Sequence, residues 1–198
     1  MCQPRTLLEL AGADLTPARV SDAALVFIDF QNEYRTGPIA VQAADAAVAA
    51  AARLLAAARE SGAPVFHVAH RGRPGSLFDR DAERGRIVDE LEPLADETVV
   101  EKELPNAFAG TGLQAGLEAA GRRELILTGF MTHMCVSSTA RGALDLGYRV
   151  TIDAASCGTR DLPDGRGGTI PAATVHDVAL AELSDRFAVI ARDSGQVV

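Results

Sequence analysis

Leu125-Ile126-Leu127-Thr128-Gly129-Phe130-Met131-Thr132-His133-Met134-Cys135-Val136 is the stretch on which the reading of this chain turns. An apolar strand runs into Gly129, the chain turns, and one thiol is delivered to the start of a helix. That helix shows an apolar face in Val136, Thr139, Ala140, Ala143 and Leu144, and Gly147 ends it. A helix N-terminus carries positive partial charge and unpaired N–H groups, so it favours thiolate over thiol and can hold an oxyanion. Both effects serve acyl transfer. Burial as a small hydrophobe is the usual fate of a free cysteine, and this segment alone leaves both readings open.

Two other chemical groups share the placement of Cys135. The run Ala23-Ala24-Leu25-Val26-Phe27-Ile28 terminates in Asp29, and Thr98-Val99-Val100-Glu101 terminates in Lys102. In a parallel α/β sheet the carboxyl ends of the strands share one edge, where ligands bind near the switch in strand order. An acid, a cation and a thiol would meet there. Singly, each has a plainer role: Asp29 as the cap of a turn, Lys102 as a solvated strand end.

The rest of the chain alternates strands with helices. The strands are Ala23 to Asp29, Pro64 to Ala69, Thr98 to Lys102, Glu124 to Thr128, Tyr148 to Asp153 and Phe187 to Ile190. Between them, Ala44, Ala47, Val48, Ala51, Leu54, Leu55 and Ala58 recur at helical spacing and stop at Gly62 and Pro64; Leu113, Leu117 and Ala120 mark a helix ending at Gly121, and Val175, Val178, Ala179 and Leu183 another. The pattern predicts an α/β fold, a three-layer α/β/α sandwich with a six-stranded, mostly parallel sheet and right-handed crossovers.

With 198 residues, 47% of them hydrophobic, and no linker-like interruption, residues 1–198 read as a single domain. A formal charge of −8 with no Lys/Arg cluster argues against nucleic acid and anionic membrane surfaces. Neither a membrane-spanning run nor the three regions of a signal peptide is evident, and three cysteines suit a reducing compartment better than a disulfide framework, so a cytoplasmic location is expected. Cys2 is terminal and Cys157 is expected in a loop, both incidental to chemistry.

Three motifs, in order, resemble the isochorismatase-like cysteine hydrolases, a family that includes nicotinamidase, N-carbamoylsarcosine amidase and ureide-cleaving amidohydrolases. They are Leu25-Val26-Phe27-Ile28-Asp29-Phe30-Gln31, Glu101-Lys102-Glu103-Leu104-Pro105-Asn106-Ala107-Phe108, and the Gly129 to Val136 turn. The resemblance spans nearly the whole chain. It implies a triad of Asp29, Lys102 and Cys135, a cis peptide between Phe130 and Met131, an oxyanion hole from the N–H groups of Met131 and Cys135, and a homodimer or larger assembly. The activity it implies is thioester-forming hydrolysis of a small amide, carbamoyl or ureide C–N bond. Two other outcomes are carried beside it: vinyl ether hydrolysis of the isochorismatase type, in which an Asp acts as general acid without a cysteine nucleophile, and a ligand-binding relative without turnover.

Pocket-lining candidates on the same sheet edge are Phe30, Tyr34, His70, Phe78, Asn106, Phe108, Phe130, Thr132 and His133, with ordinary core packing the alternative for Phe30 and Phe108. The Gly- and Pro-bearing loops 71–86 and 158–168 are expected as covers over the site or as subunit contacts. Nicotinamidases carry a metal-ligating His just after the first-strand Asp, whereas here Asp29 is followed by Phe30-Gln31-Asn32-Glu33-Tyr34-Arg35. With His67, His70, His133 and His176 scattered and no pair at metal-helix spacing, neither a metal nor any other cofactor is expected, and nicotinamide is disfavoured as substrate.

Overall fold

The structure is a computed structural model and describes residues 3–198. The apolar runs become parallel strands: β1 (Ala23–Ile28), β2 (Val65–His70), β3 (Thr98–Lys102), β4 (Glu124–Phe130) and β5 (Arg149–Gly158). The two-residue strands β6 (Leu162–Pro163) and β7 (Thr169–Ile170) pair separately as an antiparallel hairpin, and β8 (Val189–Ala191) completes the main sheet. Its order is β3-β2-β1-β4-β5-β8, and every neighbouring pair is parallel. β1 is hydrogen-bonded on both sides and buried on both faces, which is why it reads as an unbroken apolar run rather than an alternating one. Strand order reverses at β1/β4, so a crevice opens at the carboxyl ends of these two strands.

The connecting helices are α1 (Leu7–Leu10), α2 (Glu33–Thr36), α3 (Ala44–Ser61), α4 (Leu113–Ala119), α5 (Ser137–Asp145) and α6 (Ala172–Arg186). Successive strand residues point to opposite faces, and the two cores divide accordingly. Leu25, Phe27 and Ile126 meet Ala47, Val48, Ala51, Leu54, Leu55 and Ala58 of α3 on one face. Ala24, Val26, Ile28, Leu125 and Leu127 meet Leu113 and Leu117 of α4, Ala140 and Ala143 of α5, and Leu180 and Leu183 of α6 on the other. Each fully buried leucine contributes roughly 1.5–3 kcal/mol, and the α3 alanines let that helix lie close to the sheet. Gly62 stops α3 in a left-handed conformation, φ 69°, its N–H returned to Ala58 and Arg59 carbonyls.

Two boundaries differ from expectation in ways that matter. β5 does not end at Asp153 but continues to Gly158, so Cys157 lies in a buried strand, not in a loop. Ala154 to Gly158 are too small to show a strand pattern; what extends the strand is pairing of Gly129 with Cys157 and Phe130 with Gly158, across an irregularity in β4 that Thr128 bridges by donating to Ser156 O at 2.6 Å. The helix after Cys135 is preceded by a wide π turn over Thr132–Val136, and α5 proper begins at Ser137. Cys2 lies outside the described residues.

Candidate active site

Asp29 leaves β1 in a left-handed conformation, φ 54°, uncommon outside glycine though better tolerated by Asp than by most residues. Lys102 ends β3 beside His70 of β2, their positions paired in register. Its side chain reaches inward, placing Nζ 2.7 Å from Asp29 Oδ2, 3.4 Å from Cys135 Sγ and 3.4 Å from His70 Nδ1. Both side chains of the ion pair are fully buried. Beyond this contact neither Asp29 oxygen accepts a hydrogen bond among the described residues, so the carboxylate keeps lone pairs for a proton or a substrate. A charge pair this deep holds together because each member is expensive to bury alone; removing one partner of such a pair typically costs about 3–5 kcal/mol.

The cysteine turn is shaped by backbone. Gly129 sits at φ 132°, where a Cβ would fall 1.9 Å from Ile28 O, so glycine alone lets β4 pass β1 so closely. The Phe130–Met131 peptide is cis. Val136 donates back to Met131 O at 3.3 Å and Ser137 to Thr132 O, the five-residue spacing of a π turn, which recurs at functional sites. The Met131 N–H has no acceptor among the described residues, and Cys135 lies in the first turn, where N–H groups lack intrahelical partners. Cys135 itself is 4% exposed. Burial, and after it the Asp29 carboxylate, push its thiol up to about 12, against the opposing pull of Lys102. The free protein therefore holds a thiol, not the thiolate that the helix terminus and lysine suggest from sequence alone. His70 is pushed down, by burial first and then by Lys102, and stays a neutral imidazole.

One wall of the crevice is aromatic. Phe30 and Phe130 lie 4.8 Å apart between ring centroids, Tyr34 and Phe130 5.7 Å, Tyr34 and Phe78 5.2 Å, and His70 and Phe78 4.9 Å, so these five candidates form one continuous stack that reaches Lys102 through His70. Thr132 instead ties the turn down: its Oγ1 donates to Gly158 O at 3.1 Å and faces His176 Nδ1 at 2.9 Å. His133 holds Thr159 through Nδ1 at 2.6 Å. Asn106 and Phe108 are not brought to the site. Asn106 Oδ1 accepts the Phe108 N–H at 3.0 Å and its amide fills the space beside Gly142 of α5, while Phe108 stacks on Tyr148, just before β5 at the opposite end of that strand.

Gln31, which sequence reasoning passed over, is the clamp of this edge. Fully buried, it donates through Nε2 to His70 O at 2.9 Å and Gly85 O at 2.7 Å, and accepts the His70 N–H at 2.9 Å. Its one signal in the sequence is a polar side chain two residues beyond a buried strand. Around it the chain after Asp29 is stapled to the end of the 71–86 loop: Asn32 donates to Arg86 O at 3.0 Å, Val88 to Phe30 O at 2.9 Å, and the buried Glu33 pairs with Arg84 at 2.9 Å. That loop thus carries Phe78 as a cover over the aromatic wall. Among the described residues no three His, Cys, Asp or Glu side chains cluster as a metal site would require, and no helix is long and apolar enough to cross a membrane.

Comparison with known proteins gives the family and the fold. The chain matches the isochorismatase domain over residues 23–193. It is 36% identical to the secreted isochorismatase effector Isc1 of Verticillium dahliae, over 91% of this chain and 93% of that protein. It is also 36% identical to a streptothricin hydrolase of Streptomyces noursei, over 85% of this chain and 62% of that one. The crystal structure of an isochorismatase from Pseudomonas putida KT2440 superposes with a TM-score of 0.95 at 44% identity, covering 99% of this chain and all of that one. The chain belongs to the isochorismatase family of hydrolases.

Proposed function

We propose that the protein is a metal-independent cysteine amidohydrolase that opens a C–N bond in a small amide, carbamoyl or ureide substrate. The observation that carries the reading is the buried Lys102 ammonium lying 2.7 Å from Asp29 and 3.4 Å from Cys135 Sγ, beside a turn whose Met131 N–H is unpaired among the described residues. Substrate binding brings a carbonyl carbon to Sγ. Asp29 takes the thiol proton as sulfur attacks, and the Met131 and Cys135 N–H groups hold the resulting oxyanion. Asp29 then returns that proton to the departing nitrogen, the C–N bond breaks, and ammonia or an amine leaves. In the second half Asp29 removes a proton from water, which attacks the thioester; the C–S bond breaks, the acid departs, and the proton returns to sulfur. Lys102 keeps Asp29 placed and charge-balanced throughout.

Relatives with amide-cleaving names support the choice of bond: maleamate amidohydrolase of Pseudomonas putida and ureidoacrylate amidohydrolase of Variovorax paradoxus. Ammonia release from a panel of small amides is the test. Turnover that disappears in Cys135→Ala and survives added chelator is expected; turnover unchanged in Cys135→Ala would return the vinyl ether reaction to the front, and chelator-sensitive turnover restored by zinc would end metal independence. A cytoplasmic site of action and a dimeric or larger assembly belong to the same proposal, checked by cell fractionation and analytical ultracentrifugation.

A further inference from the structure

An ammonium has three N–H donors and no lone pair, so a buried one is satisfied only by acceptors placed around it on three sides. Lys102 Nζ meets three groups: Asp29 Oδ2 at 2.7 Å, Cys135 Sγ at 3.4 Å and His70 Nδ1 at 3.4 Å. The first two belong to the chemistry already described. The third can meet an ammonium in one state alone. A protonated Nδ1 would set one N–H against another, so the contact requires a bare Nδ1 and the ring proton on Nε2. Lys102 is the only hydrogen-bond partner of either ring nitrogen among the described residues, so no other protein group selects the tautomer.

The imidazole is held more firmly than the amine it faces. His70 pairs in register with Lys102 across β2 and β3, which sends both side chains to the same face of the sheet. Its N–H and its C=O both go to Gln31, at 2.9 Å each, and its ring meets Phe78 edge to face with centroids 4.9 Å apart. Lys102, by contrast, crosses to the site on a flexible four-carbon stem. Without a third acceptor its ammonium is free to close on Asp29, the stronger partner, and to leave the sulfur. The charged groups that face the ring are Lys102 and Glu103 from the end of β3 and Asp29 from the end of β1, while Arg71, next in the chain, is turned onto Glu101. Burial first, and then Lys102, disfavour the imidazolium; Asp29 and Glu103 favour it.

We propose that His70 is a positioning residue of the site, whose bare Nδ1 holds the Lys102 ammonium between Asp29 and Cys135. It acts through the lysine and takes no part in the bond changes. Its kinetic consequence rests on the amidohydrolase reading; the tautomer does not. The tautomer is read without substrate, from long-range proton–nitrogen correlations of the imidazoles in the full chain at pH 7.5, with His70→Asn identifying the His70 signals. A bare Nδ1 and a protonated Nε2 are expected. Lys102→Met should raise the His70 titration midpoint, because it removes the positive neighbour and leaves Asp29 in place.

Turnover gives the second readout. Asparagine places an acceptor oxygen where Nδ1 stands, leucine offers none, and both lose the ring that meets Phe78. His70→Leu should therefore lower kcat by about 10- to 100-fold, the scale of a misplaced catalytic group. His70→Asn should retain at least about ten times the kcat of His70→Leu, with KM shifted alike in the two variants. The Nε2–H tautomer in a protein that turns over no amide supports the positioning role and sinks only the reaction. A His70 that carries its proton on Nδ1, a midpoint unmoved by Lys102→Met, or equal kcat in the leucine and asparagine variants would overturn the inference.

Discussion

The state of the Cys135 thiol can be measured without a substrate. With its pKa pushed up to about 12, only about one Cys135 in 3 × 10⁴ is thiolate at pH 7.5, whereas an ordinary thiol of pKa about 8.5 is roughly one-tenth ionised. Alkylation by iodoacetamide should thus run about 10³-fold slower at Cys135 than at glutathione in the same tube, followed by peptide mass spectrometry across pH. Asp29→Asn then makes two opposite demands. Removing the carboxylate charge beside the sulfur, with Lys102 left in place, should lower the midpoint and speed alkylation. Removing the base should at the same time lower amide turnover by about 10²–10⁴-fold. A variant with a more ionised thiol and less activity separates general-base catalysis from a standing thiolate. The reasoning is refuted if wild-type Cys135 titrates below 8.5, or if Asp29→Asn slows its alkylation.

Three further outcomes are expected. Gly129→Ala places a methyl 1.9 Å from Ile28 O at φ 132°, so it should lower stability by more than about 2 kcal/mol, or prevent folding, as read by denaturant unfolding. Gln31→Leu leaves His70 O, Gly85 O and the His70 N–H without their partner, and should lose about 2–4 kcal/mol in the same assay. Glu97, on which burial acts upward but which Arg59, the Leu94 N–H and His67 together hold down at about 2 against 4.5 unfolded, should contribute up to about 3 kcal/mol above pH 4.5 that is lost as pH falls towards 2; Glu97→Gln should flatten that part of the stability–pH curve.

The centre of the sheet was legible because β1 and β4, buried on both faces, are long apolar runs, with Asp29 directly after β1; the edge strand β3, exposed on one face, showed only a short β-branched run ending in Lys102. The cysteine turn was legible for the same reason, with Gly129 as punctuation. What escaped was set by contacts between distant segments. The last five residues of β5 have no pattern of their own and are strand because β4 pairs with them. Phe108 reads as an aromatic after a strand end, yet Tyr148, forty residues on, draws it to the other end of β5. Gln31 has no motif, since its partners are carbonyls whose positions only the fold defines. The thiol was misjudged for a different reason: lysine and helix terminus are visible in sequence, while the burial that outweighs them is not.

The staple between the chain after Asp29 and residues 83–88 separates two parts of the molecule that adjoin in space. Gln31, Asn32 and Glu33 fix the anchor of the 71–86 loop, whereas its tip is held by local turns such as Gly72 N–H to Phe78 O, at 2.8 Å, and by Arg71 and Arg80 on Glu101. Insertions, deletions and exchanges between Gly72 and Ala82 are therefore absorbed without moving the buried Asp29 carboxylate. The buried ion pair and the cover over the aromatic wall are thus set by separate stretches of chain, so a descendant can remodel the cover while the pair beneath it stands still.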